Sequence, residues 1–285
     1  MILERNKKIK TAVLLTCHNR KDKTLKCLNA LFDATLPSNY EIEVFLVDDG
    51  SLDGTGDDVK TQFPQANVIQ GTGNLFWNRG MNLAWKKATE KSRFDFYLWL
   101  NDDVVLQKNA IKILMKNFRN IGNPESIIVG ACRSGTGETT YSGYISLTKK
   151  RILKPSGELQ LCEYFNGNVV LIPEQVFKRV GFLDPYYHHD QGDFDYGLRA
   201  KKMGIHSFVS SGFVGMCERH SELPRWCNPK YPFRTRWKNF ISPLGGRPKS
   251  TLVFQRKYIG LAPALFHYFT IHLRLLFPKI WKQTN

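Results

Sequence analysis

Beyond Leu223 the sequence contains no Asp or Glu, and nowhere does it hold a CxxC pair, a GxxxxGK[ST] loop or an uninterrupted apolar run of about 20 residues. Each absence excludes something. Without a CxxC pair, the six cysteines (Cys17, Cys27, Cys132, Cys162, Cys217, Cys227) do not form a zinc cluster and read as reduced, mostly buried thiols of a cytosolic protein. Without the phosphate-loop motif the chain is not a P-loop nucleotidase. The first residues lack the basic, apolar and small-residue pattern of a secretory signal, which leads to the expectation of a cytoplasmic protein. Internal repeats and low-complexity tracts are also missing.

What is present is a chain of 285 residues, 42% hydrophobic and 13% aromatic, enough apolar material for one large α/β core and an appendage. The formal net charge is +16, unevenly spread. From Leu223 to Asn285 there are twelve Lys or Arg, while the preceding 222 residues carry 29 basic and 25 acidic groups. A nearly neutral body with a strongly basic end suggests a docking surface for anions, phospholipid or nucleic acid.

The first half alternates apolar runs with helix-like segments. Ala12–Thr16 is a strand ending in Cys17-His18-Asn19, and Lys21–Phe32 carries leucines at helical spacing. Glu43–Val47 is a strand ending in Asp48-Asp49-Gly50-Ser51. Asn78–Lys91 reads as a helix, and Phe94–Leu100 as a buried strand ending in Asn101-Asp102-Asp103. Such alternation implies a mainly parallel sheet, whose ligands bind beyond the carboxyl ends of the strands. All three strands end there in amide- or carboxylate-bearing runs.

Ile127–Ile172 reads as strands and loops, Pro173–Val180 as a helix with Pro in its first turn, and Asp193–Met203 as a helix capped by Gly204. Leu223–Ser250 holds five prolines and reads as loop. Thr251–Trp281 mixes aromatics and leucines with Lys, Arg, His272 and Pro263. That pattern fits a helix lying in the plane of a membrane interface rather than one crossing it.

Transfer of a sugar from a nucleotide diphosphate needs a divalent cation on the phosphates, a carboxylate to hold it, a second carboxylate to take the acceptor proton, and polar partners for the nucleoside. The chain offers Asp102-Asp103 and Asp48-Asp49 at strand ends and Asp193 opening a helix. Taken singly, an Asp pair at a strand end is a turn or helix cap, Asp193 a helix N-terminal carboxylate and Arg79 a solvated charge. Their joint occurrence in this order points to the chemistry.

Residues 10–220 resemble glycosyltransferases of family 2. Thr16-Cys17-His18-Asn19-Arg20 matches the family's T-x-x-N-R opening, and VDDGSLDGT (Val47–Thr55) its most specific signature. LNDDV (Leu100–Val104) stands at its metal motif, FNGNVVLIPEQVFKRVGFLD (Phe165–Asp184) at the acceptor side, and GDFDYGLRAKKMG (Gly192–Gly204) at the block bearing the base. GNLFWNRGMNLAW (Gly73–Trp85) is similar to the branch that builds bacterial surface polysaccharides, including rhamnosyltransferases.

The resemblance implies an α/β fold of GT-A type, a Rossmann-like, mainly parallel sheet flanked by helices, with a basic C-terminal helical appendage. It divides the chain into a catalytic domain over 8–222 and a membrane-associating segment over 223–285. It implies an inverting, metal-dependent hexosyl- or deoxyhexosyltransferase using a UDP- or dTDP-sugar, Mn²⁺ or Mg²⁺, and a glycan acceptor, lipid-linked at an anionic membrane surface.

Carried over, Asp49 would contact the base, Asp48 shape the turn, and Thr16, Asn19, Arg20, Asn74 and Arg79 line the nucleotide-sugar site. Asp102 would approach the ribose, Asp103 hold the metal with His220, and Asp193 act as base. Asn166, Gly167, Asn168, His189 and Asp195 would stand on the acceptor or donor side. Asn101 and Gly192 depart from the family's Asp and Glu, lowering metal affinity and altering the acceptor side.

Two rival readings remain. A sugar nucleotidyltransferase would need a Gly-rich phosphate loop after the first strand, and His18–Asp22 has no glycine. A nucleic-acid-binding protein would use the basic end, but no recognition helix or aromatic-bearing sheet is evident, so nucleic acid is not an expected partner.

Overall fold

In the computed structural model, which describes residues 8–219 and 222–280, strands and helices alternate as β1 (Ile9–Cys17), α1 (Lys21–Phe32), β2 (Tyr40–Asp48), α2 (Thr55–Gln62), β3 (Asn67–Gln70), α3 (Phe76–Lys91) and β4 (Phe96–Leu100). The chain continues through β5 (Val105–Leu106), α4 (Ala110–Ile121), β6 (Ser126–Arg133), β7 (Thr139–Tyr141), β8 (Gly143–Tyr144), β9 (Gln160–Cys162), β10 (Tyr164–Phe165) and β11 (Val169–Pro173). Then follow α5 (Glu174–Val180), α6 (Gly192–Lys202) and β12 (His206–Met216).

The main sheet runs β3-β2-β1-β4-β11-β6-β12-β5. Its first half, β3 to β4, is parallel, as expected for strands joined by helices. Its other half is mixed, because β11 runs antiparallel to both β4 and β6. The expectation of a mainly parallel sheet therefore holds for one half only.

Alternation along the central strands separates two cores. Val13, Leu15 and Leu98 point toward α1 and α4, where Leu28, Leu31, Ile111 and Leu114 are buried. Ala12, Leu14, Tyr97 and Trp99 point toward α3, α5 and α6, where Trp85, Val176 and Tyr196 meet them. Burial on both faces explains why β4 reads FYLWL without a polar residue. Trp85 is fully enclosed and packs within 6 Å of Tyr97, Trp99, Phe177, Phe182 and Tyr196.

The parallel register places Cys17 beside Asp48, and Leu14 beside Trp99. The exits of β1, β2 and β4 thus lie together at one edge of the sheet. That edge is built by the apolar runs stopping in step.

Asp195 has no exposure, and its carboxylate accepts from Arg199 Nε at 2.7 Å. The same guanidinium donates to the Val180 and Phe182 carbonyls at 2.7 and 2.9 Å, closing the end of α5 onto α6. Asp195, expected on the acceptor or donor side, is buried in the structure and anchors α6 through this guanidinium.

The chain divides into two units, one reaching Pro185 and resuming at Gly192–Arg219, the other joining Tyr186–Gln191 to the residues after the boundary at Arg219/His220. His188, His189 and Asp190 therefore belong to the second unit.

The second unit contains a 3-10 turn (Arg225–Cys227), α7 (Phe233–Ile241), α8 (Pro248–Tyr258), α9 (Leu261–Leu276) and a 3-10 turn at Pro278–Ile280. The reading of Leu223–Ser250 as loop is overturned. Pro232 and Pro248 stand at helix starts, where a missing N–H costs nothing, so they open helices instead of breaking them. Likewise Pro173 ends β11 and precedes α5. Thr251–Trp281 is not one helix: Gly260, at φ 119°, separates α8 from α9. Trp281 lies outside the described residues.

Replacing Asp195 by Ala strands the Arg199 guanidinium in a largely buried position. The variant is expected to lose about 3 kcal/mol of folding stability, measured by urea unfolding.

Candidate functional site

At the exit of β2 the chain uses its own carboxylates first. Asp49, buried, accepts from the Gly73 N–H at 2.7 Å and from the Leu75 and Phe76 N–H groups at 2.8 and 2.9 Å. Leu75 and Phe76 begin α3, whose own N-cap residue supplies no side-chain cap. Asp49 therefore satisfies first-turn amides of a helix from another strand, with its charge at the positive end of the dipole. A carboxylate so engaged shapes the loop wall in which the base contact was expected. Asp48, also buried, accepts from the Ser51 N–H at 3.0 Å and sets the turn.

The exit of β1 is tied to the same place. Asn19 Oδ1 accepts from the Leu52 N–H at 2.7 Å, and the Asn19 N–H donates to Ser51 Oγ at 2.9 Å. His18 reaches the Asp49 carbonyl through Nδ1 at 2.7 Å. That carbonyl only accepts, so Nδ1 carries the proton and Nε2 is left to accept from Asn19 Nδ2 at 3.0 Å. Thr16 is buried beneath Gly80 of α3. Asn74 stands exposed in the loop before α3, and Arg79 donates through Nε to the Pro185 carbonyl at 2.9 Å.

At the exit of β4, Arg20 lies across both carboxylates. Its Nη1 is 3.1 Å from Asp102 Oδ1, and its Nη2 is 2.6 Å from Asp103 Oδ2. Thr24 Oγ1 donates to Asp102 at 3.4 Å, and the Cys217 thiol to Asp103 at 3.4 Å. Burial pushes the Asp102 carboxyl up to about 7, with Arg20 pulling it down and Asp103 pushing it further up. Burial works against the Arg20 charge, and the two carboxylates more than offset it, so its pKa rises.

Across from this pair, Asp193 opens α6. Its carboxylate accepts from the Gly167 N–H at 2.8 Å and from the Phe194 N–H at 2.9 Å. Burial raises its pKa to about 6, against the lowering effect of those two N–H donors. Gly167 belongs to the Asn166-Gly167-Asn168 turn between β10 and β11. The Asn166 N–H donates to the Ser142 carbonyl at 3.1 Å, and the Asn168 carbonyl accepts from the Asn101 N–H at 2.9 Å.

Trp77 joins the two carboxylate centres. Its indole N–H donates to Asn101 Oδ1 at 2.6 Å, while its ring lies where a Cβ at Gly167 would come within 2.6 Å of it and within 3.2 Å of the Asp193 Cβ. Only glycine fits between them. The departure at Gly192 has a similar cause: a Cβ there would collide with Asn78, whose amide donates to the Asp184 carbonyl at 2.8 Å.

Sequence reasoning missed Trp77, Cys217 and Asn78. Cys217 lies 114 positions from Asp103, and only the placement of β12 brings it near. The candidate metal ligand His220 lies outside the described residues. His189, in the second unit, stands 3.5 Å from Asp190.

Among the described residues no group of three His, Cys, Asp or Glu side chains could hold a metal ion. The Asp102–Asp103 pair still fits a Mg²⁺ or Mn²⁺ ion, which takes hard oxygen donors and needs only one or two protein carboxylates when substrate phosphates and water complete its shell.

Strand exits bearing carboxylates, opposite a further carboxylate on a separate helix, lie on a fold of the GT-A class. The chain belongs to glycosyl transferase family 2, whose family model matches residues 12–182. That match ends before Asp193.

Among solved structures, one of GalNAc-T7 with UDP, GalNAc and Mn²⁺ superposes with a TM-score of 0.55 at 14% identity, covering 75% of this chain and 44% of that one. S. aureus TarS gives 0.55 at 16%, covering 74% and 37%. Its fragment 1–349 gives 0.57 at 15%, covering 97% and 74%. The likeness is one of fold, and the chain spans less than half the length of the first two. No curated protein matches in sequence.

Two late-titrating carboxyls are expected in a carbon-detected NMR titration, Asp193 near 6 and Asp102 near 7. Arg20→Gln should raise the Asp102 midpoint further, because it removes the charge that favours the ionised form. An unchanged Asp102 midpoint in that variant would contradict the bridge.

Proposed function

We propose that the protein transfers a hexosyl or deoxyhexosyl group from a UDP- or dTDP-sugar to a hydroxyl of a glycan acceptor, with inversion at the anomeric carbon, in surface polysaccharide synthesis. The observation that carries this reading is Asp193, a half-buried carboxylate with a raised pKa, held by the Gly167 N–H and joined through Trp77 to the Asp102–Asp103 edge. The acceptor is carried on a lipid at the cytoplasmic face of the membrane, in keeping with the basic C-terminal segment.

In this reading the Asp49-held loop, with Thr16, Asn19, Asn74 and Arg79, encloses the nucleoside, and Asp102 approaches the ribose. Asp103, supported by Asp102, would hold Mg²⁺ or Mn²⁺. When bound, the ion neutralises charge on the departing diphosphate. Arg20 occupies the open side of the same carboxylates and turns to the diphosphate as it yields them.

The acceptor oxygen attacks the anomeric carbon while Asp193 takes its proton, and the bond to the diphosphate oxygen breaks with the electron pair on that oxygen. A base with a pKa of about 6 is stronger than an ordinary carboxylate yet ionised at neutral pH.

Asp193→Asn should abolish transfer while donor affinity, measured by calorimetry, stays nearly constant. The wild-type kcat/KM should rise with pH up to about 6 and then level, since only the deprotonated form acts. Retained turnover in the variant, or a product with the donor's anomeric configuration, would refute the assignment.

Asp103→Ala should lower the rate by a factor of about 100 or more, roughly 3 kcal/mol of transition-state stabilisation, with excess EDTA producing a comparable loss in the wild type. Full activity in EDTA counts against the metal.

A further inference from the structure

The second unit buries one side of its helices and leaves the other uncovered in a patterned way. In α9, Ala264, Ile271 and Leu275 face inward, with Ile271 and Leu275 packed against Phe240 of α7. The outward row is Leu265, Phe266, Phe269, Leu273, Leu276 and Phe277, with Phe266 72% and Phe269 65% exposed. The row contains no charged residue. At 1.5 Å per residue it runs about 18 Å along the helix.

Helix α7, invisible in the sequence pattern, repeats the arrangement. Phe233, Trp237 and Ile241 recur every four residues on its exposed side, with Arg234 and Lys238 beside them.

Apolar rows of this size are covered when a protein is at work, and charge decides among the candidate covers. The segment from Leu223 holds twelve Lys or Arg and no acidic residue. A second copy of this surface would bring like charges together. A nucleic acid would satisfy the charge but leave the leucines of α9 wet. An anionic bilayer satisfies both, taking aromatic and aliphatic side chains among its acyl chains and the cations at its phosphates. No described helix is long and apolar enough to cross a membrane, so the contact is with one leaflet.

We propose that the α9 row and the α7 row are the docking face of the protein on an anionic lipid leaflet. The inference refines the partner named in the proposed reaction, and its test does not depend on catalysis.

The test is co-sedimentation of the full chain with vesicles of phosphatidylcholine alone or mixed with phosphatidylglycerol, at low and high salt. Binding is expected to the anionic vesicles and to weaken with salt. Phe266→Asp with Phe269→Asp, and separately Trp237→Glu, should each weaken it by about tenfold or more, and the Phe266/Phe269 variant should keep its melting temperature because both sites are mostly exposed. Asp193→Asn should bind as the wild type does, so the docking face and the sugar-transfer reading fail separately.

No binding to anionic vesicles at low salt would overturn the proposal, as would equal binding by the α9 variant. Unaltered binding by Trp237→Glu would overturn its α7 half. Sedimentation equilibrium showing a dimer that the α9 variant abolishes, without vesicle binding, would assign the face to a second copy. Binding of RNA in place of vesicles would assign it to nucleic acid.

Discussion

Two carboxylates at adjacent positions on a buried strand exit repel each other and need a cation between them. In this protein the cation is Arg20, set at the start of α1 where the chain leaves β1. Its bridge fixes the exit of β1 against that of β4, while Asn19 fixes the same segment against the exit of β2. The three apolar strands deliver their polar ends to one edge. The hydrogen bonds of Asn19, Arg20 and Asp49 turn that edge into a shaped site. Hydrophobic burial decides where the strands stop, and charge decides how the loops beyond them are held.

The same division of labour extends to the opposite wall. The aromatic layer around Trp85 and Trp99 gives α3, α5 and α6 a rigid floor. Trp77, on the first turn of α3, carries that rigidity to the surface through its bond to Asn101 and its contact with the Gly167 turn. In the proposed reaction Asp193 takes a proton, and such a carboxylate gains from being held still and partly dry. Asp193 receives the first from the Gly167 N–H and the second from burial.

Much of this was legible in the sequence where signals are local. FDFYLWL followed at once by Asn-Asp-Asp announces a buried strand and a polar exit, and Asp193 sits at the start of the helix that its spacing suggests. What could not be read is what depends on distant pairing. Arg20 was visible beside β1, but its partner Asp103 is 83 positions away. That Asp49 also caps α3 could not be read, because nothing local shows that α3 begins without its own cap. Proline misled twice in the second unit, since the same residue that ends helices also opens them, and only the following residues' burial distinguishes the cases.

The meeting of Gly192 and Asn78 has a consequence for how such a site changes over time. A larger residue at 192 collides with the Asn78 side chain, and that side chain in turn supports the Asp184 carbonyl. The two positions are therefore mutationally coupled. Introducing an acidic residue at 192 is damaging while Asn78 stands, and is tolerated only after position 78 has shrunk and Asp184 has found another donor. The order of substitutions, rather than their sum, decides which routes between this sequence and its relatives are passable.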